Sequence, residues 1–295
     1  MHTLLPILAA ASLLLTFPLQ KSGAARAHTR RVFVSVVDRA GTPVADLGPA
    51  DFEVTEGGVK REAAHAGLET SPMRIALVVD TSDGAAAALT HLRAGLLAFI
   101  DALPPQHEIM MVSTGRQSRV RVPPTTDRKK IRDAASGLFS DGGAAVLMDS
   151  LLETDDRFMR KAEDRWPVFV IVTGDGAEGS AGAHERKFNE WVAAVPARAI
   201  SAHALVLKYK GGGVPEIIAG NLVQAAGGRY DFMNTSNSLP DKLKALGETL
   251  TAEAKQMSTW HQVGFQTDAP DLPPVEIAVA RSGVKIRVSN RRGLQ

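Results

Sequence analysis

Acidic and hydroxyl side chains follow two apolar stretches of the sequence. The first stretch, residues 75–79, runs directly into Asp80 and Ser82, and the second, residues 167–173, leads into Asp175. Short apolar runs bounded by turn residues are typical of strands that are buried on both faces of a parallel sheet. Open α/β folds hold their ligand sites at the carboxyl ends of such strands. The sequence therefore predicts an oxygen-rich ligand site at this edge of the sheet.

The sequence lacks the residues and motifs of several other kinds of functional site. There is no cysteine, which excludes thiol catalysis, thiolate metal sites, iron–sulfur clusters and disulfides. The Gly-x-Ser-x-Gly, His-Glu-x-x-His and Walker phosphate-loop patterns are also absent. No nucleophile with a neighbouring base is evident, so we expect the protein not to be an enzyme.

Residues 71–257 alternate between strand-like and helix-like patterns. The clearest helical periodicity lies in residues 238–256, where leucine recurs at the spacing of successive turns. Thr126 is the predicted N-cap of a helix over residues 127–138, and residues 140–143, with the glycine pair, are predicted to form a tight turn before another helix that carries Leu147 and Leu151. Repeated β–α units with short loops indicate an α/β fold with a doubly wound, mostly parallel, Rossmann-like sheet.

The two flanks of this region have β character. Residues 28–70 and 258–295 contain short runs in which apolar and polar side chains alternate, separated by glycine and proline turns. Neither segment has enough strands for independent stability. We therefore expect the two segments to pack together as a small β-rich, sandwich-like companion to the α/β domain.

Residues 1–27 have the features of a signal peptide. An apolar stretch over residues 4–17 is shorter than the roughly 20 residues that span a bilayer, and it is followed by an Ala-x-Ala pattern that ends at Ala27. We expect export to the periplasm or the exterior after cleavage near Ala27, and no transmembrane span in the mature chain. Without this segment the basic and acidic residues are equal in number, and the aromatic content is 5%. These values argue against a nucleic-acid partner.

Several motifs together resemble the von Willebrand factor type A domain. They are the sequence Asp-Thr-Ser-Asp-Gly at residues 80–84, the glycine pair at 142–143, and Val-Thr-Gly-Asp-Gly at residues 172–176. The flanks, with Val-Ser-Val-Val-Asp-Arg-Ala-Gly-Thr-Pro-Val at 34–44 and Asp-Phe-Glu-Val-Thr-Glu-Gly-Gly at 51–58, are similar to secreted bacterial proteins related to this family, of the kind frequent in acidobacteria-like genomes. The resemblance covers approximately residues 30–293.

The resemblance implies a metal-ion-dependent adhesion site for Mg²⁺ or Mn²⁺. The family's first loop is Asp-x-Ser-x-Ser, which Asp80 and Ser82 match, whereas Gly84 replaces the second serine. Ala144 replaces the threonine of the second loop, and Asp175 matches the aspartate of the third. Three of the five ligand positions therefore remain, namely Asp80, Ser82 and Asp175, and both losses remove a hydroxyl. The site is expected to be a degenerate one.

Two alternatives for these residues remain open at this point. Asp83 or Asp141 can substitute for a lost ligand. Conversely, Asp80, Ser82 and Asp175 can act as helix N-caps, since helix N-termini favour acids and hydroxyls.

The resemblance implies an exported, non-enzymatic, adhesion-type module that binds an unidentified protein partner at the carboxyl edge of the sheet. A second hypothesis is a structural or envelope-assembly component in which the metal site is vestigial and inert. A third, which the lack of a nucleophile or base disfavours, is a metal-dependent hydrolase that uses Asp80 and Asp175.

Overall fold

The computed structural model describes residues 28–162, 164–209, 213–269 and 272–292. The predicted signal peptide lies outside these residues. The strands are β1 His28–Val37, β2 Phe52–Glu56, β3 Val59–Arg61, β4 Ala63–Leu68, β5 Met73–Val79, β6 Glu108–Ser113, β7 Arg119–Thr125, β8 Trp166–Gly174, β9 Ser201–Leu207, β10 Tyr230–Met233, β11 His261–Thr267, β12 Val275–Val279 and β13 Lys285–Ser289. The helices are α1 Leu89–Ala102, α2 Arg128–Ser136, α3 Leu147–Thr154, α4 Glu185–Ala194, α5 Val214–Ala226 and α6 Leu239–Met257.

A six-stranded sheet forms the centre of the molecule, in the order β10-β9-β8-β5-β6-β7. All neighbours are parallel except β7, which runs antiparallel to β6 at one edge. The first strand of the α/β region, β5, lies in the middle, and the chain adds strands to either side of it. The predicted doubly wound, mostly parallel α/β sheet is therefore confirmed.

Both faces of this sheet are covered, as the continuous apolar runs predict. Ile75 and Leu77 of β5 point to a core shared with α1, α2 and α6, whereas Ala76 and Val78 point to a second core shared with α3, α4 and α5. All four side chains are fully buried. In the part of the chain that the structure describes, no helix has the length and apolar character needed to cross a membrane.

One helix start differs from the sequence prediction. The N-cap of α2 is Asp127 and not Thr126, because the Asp127 carboxylate accepts a hydrogen bond from the backbone N–H of Lys130. The predicted turn before α3 is confirmed, since Gly142 and Gly143 have φ angles of +73° and +70° in a tight loop and α3 begins at Leu147.

Strands from both ends of the described chain share two smaller sheets. In the four-stranded sheet β1 lies between β13 and β11, and β4 pairs with the other side of β11. In the three-stranded sheet β2 pairs with β12 and with β3. Apolar side chains of these sheets form a third core, which includes Val32, Val34, Val36, Phe52, Val54, Val263 and Phe265.

A buried ion pair connects the β-rich part to the α/β core. The Arg292 guanidinium lies 3.0 Å from Oε2 of Glu69, and both side chains are 1% exposed. The guanidinium also stacks 5.0 Å from the ring centroid of Phe33 and 5.9 Å from that of Trp166. Burial alone would raise the pKa of Glu69, but the Arg292 charge and further hydrogen bonds lower it below its usual value.

We expect Arg292→Met to lower the free energy of unfolding by about 3–5 kcal/mol, because Glu69 would remain buried without its cation. Arg281→Met is the matched control, since Arg281 pairs with Asp46 at the surface, and its unfolding midpoint should stay near wild type. Urea unfolding at pH 7 measures both.

Because the pKa of Glu69 is depressed in the fold, the wild-type stability from this pair is present above pH 4.5 and is lost as the pH falls through the folded-state pKa. Equal midpoints for the two variants would contradict this account.

Candidate functional site

The carboxyl edge of the central sheet is formed by the loops that leave β5, β6, β8 and β9. Sheet pairing continues one residue into each loop: Asp80 N donates to the carbonyl of Val172 at 2.8 Å, and Asp175 N donates to that of Leu207 at 2.9 Å. The two aspartates predicted from the sequence therefore follow the ends of neighbouring strands, with Asp80 level with Thr173, two residues before Asp175. These backbone hydrogen bonds fix the positions of both aspartates independently of their side chains.

Asp80 is buried and hydrogen-bonded within its own loop. Its Oδ1 atom accepts a hydrogen bond from the backbone N–H of Ser82 at 2.8 Å. Burial raises the pKa of the Asp80 carboxyl, and hydrogen bonding by Ser82 and by the Gly174 backbone offsets only part of that rise. Neither Asp80 nor Ser82 caps a helix, because α1 begins seven residues after Ser82, at Leu89, and its N-cap Ala88 has no side-chain bond. The N-cap alternative is therefore wrong for these two residues.

Asp175 holds the loop that follows β9. Its Oδ1 atom accepts a hydrogen bond from the backbone N–H of Tyr209 at 2.5 Å. The same loop comes so close to Asp175 that a Cβ atom at Gly213 would lie 2.1 Å from the Asp175 carbonyl oxygen. Asp175 therefore also has a local structural role, which is to fix the backbone at Tyr209, after the end of β9.

The aromatic ring of Tyr209 lies at the carboxyl edge, a position that the sequence did not predict. A Cβ atom at Gly174 would lie 1.8 Å from Cε2 of the ring, and one at Gly84 would lie 2.9 Å from Cδ2. Burial raises the pKa of the Tyr209 hydroxyl, and the charges of Asp80 and Asp175 raise it further. The ring therefore lies within electrostatic reach of both predicted ligands, on a surface of glycines. The absence of side chains at Gly84 and Gly174 is the signal in the sequence that another group can approach the backbone closely at these positions.

Asp141 connects the other half of the edge. Its Oδ2 atom accepts hydrogen bonds from the hydroxyls of Thr81 at 2.7 Å and Ser113 at 3.0 Å, and from the guanidinium of Arg121. Its backbone N–H donates to the carbonyl of Thr81 at 2.8 Å. Burial would raise the pKa of Asp141, but these hydrogen bonds lower it below its usual value. One carboxylate thus ties together the loop after β5, the end of β6 and strand β7.

The glycine pair brings the second loop against the first. The Gly143 N–H donates to Oδ2 of Asp83 at 2.9 Å, and the Asp83 N–H donates to the carbonyl of Gly143 at 3.0 Å. The Arg116 N–H donates to the carbonyl of Gly142 at 2.8 Å. Asp83 and Asp141, the two acids considered as substitute ligands, therefore both hold the loop in place.

The residues present at this edge do not fit a tightly held divalent cation in the observed arrangement. Asp80 and Asp175 each use one carboxylate oxygen on a backbone N–H group, and Gly84 and Ala144 supply no side-chain oxygen. Within the described ranges, no three histidine or acidic side chains converge in a way that could hold a metal ion. Hard cations such as Mg²⁺ and Mn²⁺ need several convergent oxygen ligands.

The fold has counterparts among solved structures. A von Willebrand factor type A protein from Catenulispora acidiphila aligns with a TM-score of 0.52 and 12% identity, over 78% of this chain and 51% of that one. Proximal thread matrix protein 1 from the mussel byssus, in a structure with a zinc-occupied MIDAS motif, aligns with a TM-score of 0.50 and 12% identity, over 72% of this chain and 50% of that one. This chain thus spans about half the length of either structure. No protein-family profile and no curated protein matches the sequence.

These likenesses show the fold alone. The central α/β region folds as a von Willebrand factor type A domain, so the resemblance noted in the sequence is confirmed at the level of the fold. A metal site is a property of the mussel structure. It does not transfer to Asp80, Ser82 and Asp175 by similarity at 12% identity, and metal binding by these residues stays a prediction.

We expect Asp80→Asn to stabilise the protein at pH 7. Because burial raises the pKa of Asp80, its ionised form costs more in the folded than in the unfolded state. The gain should shrink as the pH falls and vanish below about pH 3.8, where the carboxyl is protonated in both states. Urea unfolding midpoints at pH 7, 5 and 3.5 measure it.

Asp156→Asn, at an exposed helical position, is the control and should change the midpoint little at any of these pH values. A lower midpoint for Asp80→Asn at pH 7 would contradict the prediction. It would show that the ionised carboxylate has a stabilising partner, as a bound cation would provide.

Proposed function

We propose that this protein is an exported, non-enzymatic module that binds a protein partner at the carboxyl edge of its central sheet. The partner's identity does not follow from the chain. The proposal is supported by the von Willebrand factor type A fold and by the apolar and arginine side chains that are exposed at this edge. In this proposal a divalent cation is not required for binding.

Two parts of this edge expose large apolar side chains. Among the described residues, four such side chains are at least half exposed: Phe139 at 50%, Val214 at 52%, Ile217 at 58% and Val59 at 53%. The first three lie at the carboxyl edge, since Phe139 precedes the 140–143 loop and the other two lie in the first turn of α5. Phe139 lies beside β7 and the other two follow β9, so they are two separate points along the edge, and a partner that covers the edge would bury both.

Arginine side chains accompany the apolar ones. The Arg121 guanidinium lies 4.6 Å from the ring centroid of Phe139, and Arg116 and Arg119 are exposed on either side of the turn between β6 and β7. Arginine and aromatic residues are enriched at the centres of protein interfaces. The hydrogen bonds of Asp141 hold this surface rigid, which lowers the entropy that a partner must remove on binding.

Site-specific photo-cross-linking tests where the partner binds. Benzoylphenylalanine at position 139 or 217 should give discrete protein adducts in the cells that make this protein, whereas the same group at Val59 should not. Val59 has the same exposure but lies on β3 of the three-stranded sheet. Adducts confined to position 59, or absent from all three positions, would favour the alternative of a structural component with an inert edge.

We infer export from the pattern of residues 1–27, in which an apolar stretch is followed by an Ala-x-Ala sequence that ends at Ala27. We expect the protein recovered from outside the cytoplasm to begin at His28. Intact-mass measurement after expression of the full sequence tests this, with an Ala27→Arg variant that should retain the precursor. A full-length chain in the cytoplasm would overturn the localisation.

A further inference from the structure

We propose that Tyr209 takes the place of a cation at the carboxyl edge: its ring occupies the space that a serine side chain at position 84 would need, and the edge is assembled without an ion. This inference concerns assembly of the edge, and it stands whether or not a partner binds there.

The first step is the fit between the ring and the glycines beneath it. Any side chain at Gly174 would place its Cβ atom 1.8 Å from the ring, closer than two carbons can approach without displacement. Gly176 is also close, with a Cβ position 3.5 Å from Cδ2 of Tyr209. The ring is half-buried and packs against the core on the α1 side of the sheet. It is thus an integral part of the edge.

The second step concerns Gly84. This is the position at which the resemblance expects the second serine of the metal loop, and a Cβ atom there would lie 2.9 Å from Cδ2 of Tyr209. A serine at 84 and the ring of Tyr209 therefore compete for the same space. In this proposal the loss of the serine hydroxyl at position 84 and the presence of the Tyr209 ring belong together, because the ring fills the space that the serine side chain would need.

The third step is the fixing of the loop that carries the ring. On one side of Tyr209, the Lys208 N–H donates to the carbonyl of Met233 at 2.8 Å. At Tyr209 itself, the backbone N–H donates to Oδ1 of Asp175. Asp175, the acid expected to hold an ion, thus holds the backbone that positions the ring.

The test combines removal of the ring with return of the serine. The variants are Tyr209→Phe, Tyr209→Ala, Gly84→Ser and the double variant Tyr209→Ala with Gly84→Ser, all in the mature chain. Mn²⁺ binding is followed by electron paramagnetic resonance, and the unfolding temperature is measured with EDTA and with millimolar Mn²⁺.

We expect wild type and Tyr209→Phe to bind no Mn²⁺ at Asp80 and to unfold at the same temperature in EDTA and in Mn²⁺. Gly84→Ser should destabilise the wild-type background but not the Tyr209→Ala background, since only the former contains the ring. The double variant should gain Mn²⁺ binding with a rise in unfolding temperature of about 5 °C. Adding Asp80→Asn to the double variant should abolish that gain.

Three results would overturn the proposal. One is Mn²⁺ binding by wild type or Tyr209→Phe that Asp80→Asn removes, which needs neither of the alanine variants to fold. Another is an equal cost of Gly84→Ser in both backgrounds, which would show that ring and serine do not compete. The third is a folded double variant that binds no more Mn²⁺ than wild type. The cross-linking experiment is independent of all three, so failure of the binding proposal would not be mistaken for failure of this one.

Discussion

The carboxylate of Asp141 is the interaction on which the arrangement of the carboxyl edge depends. Three loops and strand ends meet there, and each brings polar groups that must be hydrogen-bonded once they are buried. Asp141 satisfies the hydroxyls of Thr81 and Ser113 and the guanidinium of Arg121 with a single oxygen atom. Because these bonds join segments distant in sequence, they constrain the loops more than any local turn could. The exposed Phe139 is linked to this network through Arg121, whose guanidinium lies 4.6 Å from the centre of its ring.

An edge held by protein groups differs physically from one held by an ion. A bound cation contributes stability that depends on its free concentration, since binding to the native state adds RT ln(1 + [L]/Kd). Hydrogen bonds to Asp141 and packing of the Tyr209 ring carry no such dependence. The arrangement has a cost at Asp80, because burial raises the pKa of its carboxyl and so disfavours the ionised form.

The parts of this structure that the sequence predicted are those governed by local patterns. The runs at β5 and β8 predicted central strands because side chains buried on both faces leave no polar positions. The glycine turn at 142–143 was predicted for the same reason, and the error at α2, which Asp127 and not Thr126 caps, is also local. Tyr209 could not be placed from the sequence, because its contact with Gly84 joins residues that only the sheet brings together. The sequence showed that position 84 lacks the expected serine, but it did not show that the ring of Tyr209 lies beside that position.

The same reasoning links the ion-independent edge to the proposed export. The chain has no cysteine, so disulfides cannot hold its loops in an oxidising compartment. Stability must then come from packing and from buried ion pairs such as that of Arg292 with Glu69. Such pairs act equally at any concentration of divalent ions, which the cell does not control outside its own cytoplasm. A binding surface fixed by Asp141 and Tyr209 would therefore keep its shape where a metal-assembled surface would gain and lose it with the surroundings.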